Sequence, residues 1–189
     1  MDASYFAGLF DGEGCLVVTI SPKKRKFFNK RRRWSVTVYQ WATMSLTTDG
    51  GRRVLEEAEG LLKAHGIHCW VRERTKSQNY RNYELRVSNI ESLLKFCQLL
   101  NGKLRLKQKL LENFALIAQL RKERGRKLWI WDDEHHIRYK DNRLAYEWFE
   151  QIAIIWDYAR EYEYRGRPWR GKYGDLREKL QAIWKIKFA

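Results

Sequence analysis

The chain contains no run approaching the ~18 consecutive apolar residues of a membrane-spanning helix. Its first residues carry no basic-then-apolar leader, so no signal peptide is expected and the reading is of an intracellular protein. Cysteine is sparse: Cys15, Cys69 and Cys97 are odd in number and far apart, and read as free, buried thiols in a reducing compartment. His65, His68 and Cys69 lie close together but lack a fourth ligand, which argues against a zinc site. Acidic residues are also scarce, 23 against 38 Lys and Arg, leaving a net charge of +15. Such an excess favours a polyanionic partner, either nucleic acid or an anionic membrane surface. The membrane surface fits poorly, because the basic residues fall on predicted strands and loops rather than along an amphipathic helix. With 189 residues and 44% hydrophobic content, the chain has ample material for one domain with an appendage.

What is present is concentrated first in SYFAGLFDGEG, residues 4–14. As a helix, this stretch puts Ser4, Gly8 and Gly12 at i, i+4 and i+8, a stripe of small residues that lets another backbone approach closely. Phe6, Leu9 and Phe10 point elsewhere and are candidates for burial, and Gly14 is placed to take the left-handed turn that ends a helix. Asp11 and Glu13 are in the wrong place. They occupy the last turn, where the helix dipole is negative and each acid costs about 0.3–1 kcal/mol. Acids kept there point to a buried hydrogen-bonding role or to a cation held nearby.

After Gly14 the period switches to two. Leu16, Val18 and Ile20 form the apolar face of a strand over 15–23, whose other side carries Thr19, Ser21 and Lys23. KKRKFFNKRRR, residues 23–33, then holds eight basic residues and no acid: Lys23, Lys24, Arg25, Lys26, Lys30, Arg31, Arg32 and Arg33. So dense a run suits phosphate contact with counterion release. A second strand over 33–40 alternates Trp34, Val36 and Val38 with Arg33, Ser35, Thr37 and Tyr39, the latter set able to read base edges, and Gln40 breaks the alternation. A helix over 52–65 stopped by Gly66, strands over 67–76 and 83–87, and a helix over 89–100 stopped by Asn101-Gly102 complete the pattern. Arg72, Arg74 and Lys76 share one strand face, Arg81 lies in the intervening turn, and Glu84 and Arg86 alternate with Tyr83, Leu85 and Val87. The order is α, ββα, ββα, which leaves one sheet face covered by helices and the other polar and basic.

FAGLFDGEG, residues 6–14, resembles the LAGLIDADG motif of homing endonucleases, with five of nine positions identical. The order of elements and the open basic face agree with that resemblance. It implies an α+β fold, an αββαββα core whose four-stranded antiparallel saddle lies on DNA. It also implies that the motif helix packs on a second copy of itself, through Ser4, Gly8, Asp11 and Gly12. Glu13 and the carbonyl of Gly12 would then hold a catalytic Mg²⁺ at the foot of the helix, Mn²⁺ substituting and Ca²⁺ binding without turnover. Glu is a hard oxygen ligand suited to such an ion. Gln40, in Val38-Tyr39-Gln40, matches the family's strand-ending Gln beside the active site. LRLKQK, residues 104–109, is similar to a segment of homodimeric members whose lysine lies by the scissile phosphate, here Lys107. Glu13, Gln40 and Lys107 are thereby implied as the catalytic set.

The resemblance ends near residue 120. A long helix is read from 108 to 124, and residues 1–125 are taken as the endonuclease core. Residues 126–189 are taken as a Trp-rich helical extension, with helices over 142–164 and 175–186 and a basic hinge whose Arg165, Arg167 and Arg170 could grip phosphates. No second acidic motif follows. One motif per chain implies a homodimer on a pseudo-palindromic site of double-stranded DNA. The resemblance further implies cleavage of both strands across the minor groove, leaving short 3′ overhangs. The chain reads as an intron-encoded, metal-dependent endonuclease. Two other readings of the same fold are an intron RNA maturase and a DNA-binding regulator that does not cut.

Overall fold

The computed structural model describes residues 1–26, 32–47, 49–77, 80–124, 127–133 and 136–139. Their side chains are described over 1–18, 38–47, 50–74 and 81–123. The chain divides into two compact units, one of residues 1–18 and 39–125, the other of residues 19–38 and 126–189.

In the first unit, helix α1 (Ala3–Glu13) opens on Asp2, whose carboxylate accepts from the N–H groups of Ser4 and Tyr5 at 2.9 Å. This is an N-cap that satisfies two of the helix's orphan donors. Phe6, Ala7 and Phe10 are buried, and the rings of Phe6 and Phe10 meet Phe96 at 6.1 and 5.1 Å in edge-on geometry. Gly14 does not take the expected left-handed turn. Its φ of −77° and ψ of 155° are extended, and the chain passes straight into strand β1 (Gly14–Lys26). Glycine is required there for a different reason: a Cβ at Gly14 would collide with the Phe10 ring.

Strand β2 (Arg32–Leu46) is longer than the sequence suggested, because Gln40 does not break its alternation. Val38, Gln40, Ala42 and Met44 all face inward, and Gln40 is simply a polar residue on the core side. Residues 41–46 are not a link but a strand, pairing antiparallel with β4 (Tyr80–Val87) in the register Ala42↔Val87 to Leu46↔Tyr83. β4 pairs in turn with β3 (Trp70–Ser77), with a bulge between Glu73 and Thr75, and β1 pairs with β2. Helices α2 (Asp49–Ala64), α3 (Ile90–Leu100) and α4 (Gln108–Arg124) cover one face. Leu55, Ala58, Leu62, Leu93, Leu111, Phe114 and Ile117 supply the core against Leu85 and Val87. α2 stops as its sequence dictates: Gly66 adopts φ +67°, and the Ile67 N–H returns to the Leu62 carbonyl at 2.9 Å. Asn89 caps α3 by accepting from the N–H groups of Glu91 and Ser92.

The cysteines are free, as expected, but only Cys69 and Cys97 are buried; Cys15 is exposed at the start of β1. Burial pushes the Cys69 thiol up to about 11 and that of Cys97 up to about 12, so both stay protonated at neutral pH.

In the second unit, residues 32–37 of β2 pair antiparallel with β5 (Lys127–Asp133), and β5 pairs with β6 (His136–Tyr139). The extension therefore begins as strands where helix was expected. Leu128-Trp129-Ile130-Trp131 is a β-branched and aromatic run with strong strand preference, and a free strand edge is there to receive it. The helices read over 142–164 and 175–186, and with them Arg165, Arg167 and Arg170, lie outside the described residues.

Candidate functional site

The foot of α1 and the start of α4 resolve each other's oddities. Asp11 is out of place on its own helix and Lys107 out of place at the start of the next one, and the two side chains exchange ends. The Asp11 carboxylate, 9% exposed, accepts from the backbone N–H groups of Arg105 and Leu106 at 2.8 Å through Oδ2, and of Lys107 at 2.9 Å through Oδ1. The Lys107 carbonyl accepts the first helical bond of α4, from Leu111 N–H at 2.8 Å. An anion thus sits at the positive pole of α4. The Lys107 ammonium reaches the other way, donating to the carbonyls of Phe10 (3.0 Å) and Asp11 and lying 5.9 Å from the centre of the Phe10 ring. A cation thus sits at the negative pole of α1, which carries no basic residue in its own last turn.

Glu13 has no such exchange. It is exposed at the foot of α1 beside exposed Gly12 and enters no hydrogen bond or ion pair among the described residues. The stripe above it is bare: Ser4, Gly8 and Gly12 are exposed, Tyr5 is 61% exposed, and a Cβ at Gly8 or Gly12 would meet nothing within 4 Å.

Of the three residues implied as catalytic, the fold brings Lys107 to the end of the helix that carries Glu13, and it engages the Gln40 side chain with α4. The Gln40 side chain is 3% exposed, donates through Nε2 to the Phe114 carbonyl at 2.5 Å, and accepts from Arg121 Nη1 at 3.2 Å. Both ends of its amide are spent on the middle of α4, because the strand's period places it on the core side. Asp11, expected in the dimer contact, has its carboxylate folded into its own chain for the reason given above.

On the open sheet face of the same unit, β2, β3 and β4 bring together residues only partly expected. Glu84 is 2% exposed. Its Oε2 accepts from Arg72 Nε (3.0 Å) and Nη2 (2.8 Å), and its Oε1 from Thr43 Oγ1 (2.9 Å). Glu84 therefore holds Arg72 in place instead of offering a carboxylate outward. Arg86 stacks over the Trp41 ring, 4.5 Å from its centre. Arg74, Arg81 and Tyr39 are exposed. Trp41 and Thr43 escaped sequence reasoning because the strand was ended at Gln40, although the continued alternation of Ala42 and Met44 was the available signal. The side chains of Thr19, Ser21, Lys23, Lys24, Arg25, Lys26, Arg32, Arg33, Ser35, Thr37 and Lys76 lie outside the described residues, as do Lys30 and Arg31 altogether.

Burial pushes the Glu84 carboxyl up, but hydrogen bonds from Arg72 and Thr43 and the charges of Arg72 and Arg74 outweigh it. Its pKa lies below the ordinary 4.5. A depressed folded value means that the unfolded chain takes up its proton first as acid is added. The contribution of Glu84 is complete above pH 4.5 and is lost as pH falls through its folded pKa. The drop in urea midpoint between pH 6 and pH 3 is therefore expected to be smaller in Glu84→Gln than in the wild type. An equal drop would show that this carboxylate carries no acid sensitivity.

Among the described residues no three His, Cys, Asp or Glu side chains cluster to hold an ion. At the foot of α1 the Asp11 carboxylate is held by three backbone donors, and Glu13 and the carbonyl end of the helix remain. Two oxygen donors of this hard kind suit a divalent cation.

Residues 1–101 match the family model described as a LAGLIDADG-like domain. Among solved structures, the homing endonuclease I-CvuI, in complex with the I-CreI target, superposes with a TM-score of 0.62 at 16% identity, over 96% of this chain and 94% of that one. The archaeal intron-encoded homing endonuclease I-Vdi141I, complexed with DNA, gives 0.60 at 17% identity over 97% and 95%. The LAGLIDADG meganuclease I-CpaMI, bound to uncleaved DNA, gives 0.62 at 12% identity, over 100% of this chain and 51% of that one. No curated protein matches the sequence significantly. At these identities the likeness establishes the fold.

Proposed function

Since the chain belongs to the LAGLIDADG-like domain family, we propose that it is a homodimeric, divalent-metal-dependent endonuclease that makes double-strand breaks at a long pseudo-palindromic DNA site. The observation that carries this reading is the bare stripe of Ser4, Gly8 and Gly12 ending in an exposed Glu13 that has no hydrogen bond or ion pair among the described residues. A soluble helix with one apolar face and one naked small-residue face is built for a second backbone. The matches in length agree: the chain spans nearly all of I-CvuI and half of I-CpaMI. Two copies related by a two-fold axis would bring two Glu13 carboxylates together at the paired feet of α1.

Glu13 and the Gly12 carbonyl of each copy, with phosphate oxygens and water, would hold Mg²⁺. When bound, such an ion activates water and stabilises charge on the phosphate in an in-line displacement. Water attacks phosphorus, the bond to the 3′ oxygen breaks, and the products are a 5′ phosphate and a 3′ hydroxyl. The Lys107 ammonium, fixed beside the foot of α1, hydrogen-bonds the water or phosphate oxygens and offsets the growing charge. Arg72, Arg74, Arg81, Arg86 and Tyr39 on the open face would contact phosphates and base edges, with a corresponding reach from the basic run of residues 23–33. Gln40, which hydrogen-bonds α4 through both ends of its amide, is proposed as the third member of the catalytic set.

The test is incubation with a randomised duplex library, with Mg²⁺ or with EDTA. Metal-dependent double-strand cuts at one roughly symmetric site support the proposal. A selected site without cutting indicates a binding regulator, and tight binding to structured RNA with no affinity for DNA indicates a maturase.

A further inference from the structure

We infer that Asp11 is the positioning residue for Lys107, and so fixes where the active-site ammonium stands relative to Glu13. This rests on the endonuclease reading above. Lys107 and Glu13 are 94 positions apart in the chain, on a segment before α4 and at the end of α1, and something must lock those segments together. The lock is reciprocal. Three successive N–H groups, of Arg105, Leu106 and Lys107, converge on the two oxygens of Asp11 at 2.8–2.9 Å. From the same residue that closes this nest, the Lys107 side chain returns to the carbonyls of Phe10 and Asp11. Backbone to carboxylate and ammonium to backbone form one ring, in which residue 11 meets residue 107 from both directions.

Its chemistry explains why an acid is kept at this position. A neutral side chain could not accept three N–H groups and also complete the positive pole of α4. Released from Asp11, the segment of residues 105–107 loses the three hydrogen bonds that fix its backbone N–H groups to the foot of α1. Lys107 would then be placed by the flexible stem of its own side chain. An error of about 1 Å in a reacting group costs about 100-fold in rate. The same contact ties the amine to α1, the helix proposed to meet its partner, so assembly of the dimer would carry both ammonium groups to the axis with the two carboxylates.

The test is a double-mutant cycle on the turnover rate of the full-length protein, at saturating DNA bearing the site selected by the wild type. Asp11→Asn is expected to lower kcat about 100-fold while leaving KM and DNA binding in EDTA within about threefold, and Lys107→Ala to lower kcat at least as much. The combined variant should be no slower than Lys107→Ala alone, because Asp11 acts through Lys107. A merely structural role lowers the melting temperature in both backgrounds and multiplies the two rate losses. That multiplication, or an unchanged kcat in Asp11→Asn, overturns the inference. If Asp11→Asn does not fold, Asp11→Ser, which keeps one acceptor for the nest, takes its place in the cycle. A wild type that cuts no DNA overturns the endonuclease reading and this inference with it, whereas cutting with a multiplicative cycle overturns this inference alone.

Discussion

Glu13→Gln is expected to abolish cleavage, by about 10³-fold or more, while the protein still folds, dimerises and selects its DNA site. The change removes one negative charge and one oxygen ligand from an exposed side chain that has no hydrogen bond or ion pair among the described residues. Nothing in the fold depends on that charge; it even opposes the dipole of α1, so its removal should raise stability by about 0.3–1 kcal/mol. On the proposed function the chemistry depends on it, since the Asp11 carboxylate is engaged by three backbone donors. A transition-state electrostatic contact of this kind is worth at least two to three orders of magnitude in rate. The measurement is the rate of double-strand cutting beside a filter-binding titration and a thermal melt. A variant that cuts normally would move the site elsewhere; one that fails to fold would make Glu13 structural.

The second large effect lies on the same helix. Gly8→Leu should stabilise the isolated chain and destroy the dimer. Within one chain a Cβ at Gly8 meets nothing within 4 Å, and replacing a mid-helix glycine by leucine gains roughly 0.5–1 kcal/mol of helix propensity. Against a second α1, the added side chain occupies the space the partner backbone needs, and it does so twice across a two-fold axis. Sedimentation should therefore report a folded monomer, with cleavage lost alongside. A Gly8→Leu protein that stays dimeric and active would place the interface away from α1.

That α1 is an unusual helix was legible because its sequence breaks local rules: glycines inside a helix and acids at its wrong end are unfavourable unless something else requires them. Which acid served which purpose was not legible. Asp11 and Glu13 break the same rule, and only the fold shows Asp11 matched by Lys107, 96 residues away, with Glu13 left open. Lys107 carried a complementary signal, a lysine at a helix start, but nothing in sequence joins the two. Gln40 was expected to break the alternation of its strand, while the period of two through Val38, Ala42 and Met44 already placed it on the core side. Gly14 was read as the residue of a left-handed turn that it does not make; the proximity of the Phe10 ring is a tertiary fact. The tryptophans of residues 127–133 were read as part of a helical extension because period alone does not separate a short apolar helix from a strand, and the pairing edge on β2 decided it.

Whether the cutting site needs two chains is decided by mixing. Wild-type and Glu13→Gln proteins, unfolded together in equal amounts and refolded, pair at random, so about a quarter of the dimers carry two intact Glu13 residues. Double-strand cutting of a plasmid bearing the selected site should then fall to about a quarter of the wild-type rate, with nicked circles accumulating from mixed pairs. Cutting at about one half, with no nicked product, would mean that each chain cuts alone and that the bare stripe of α1 does not build the site.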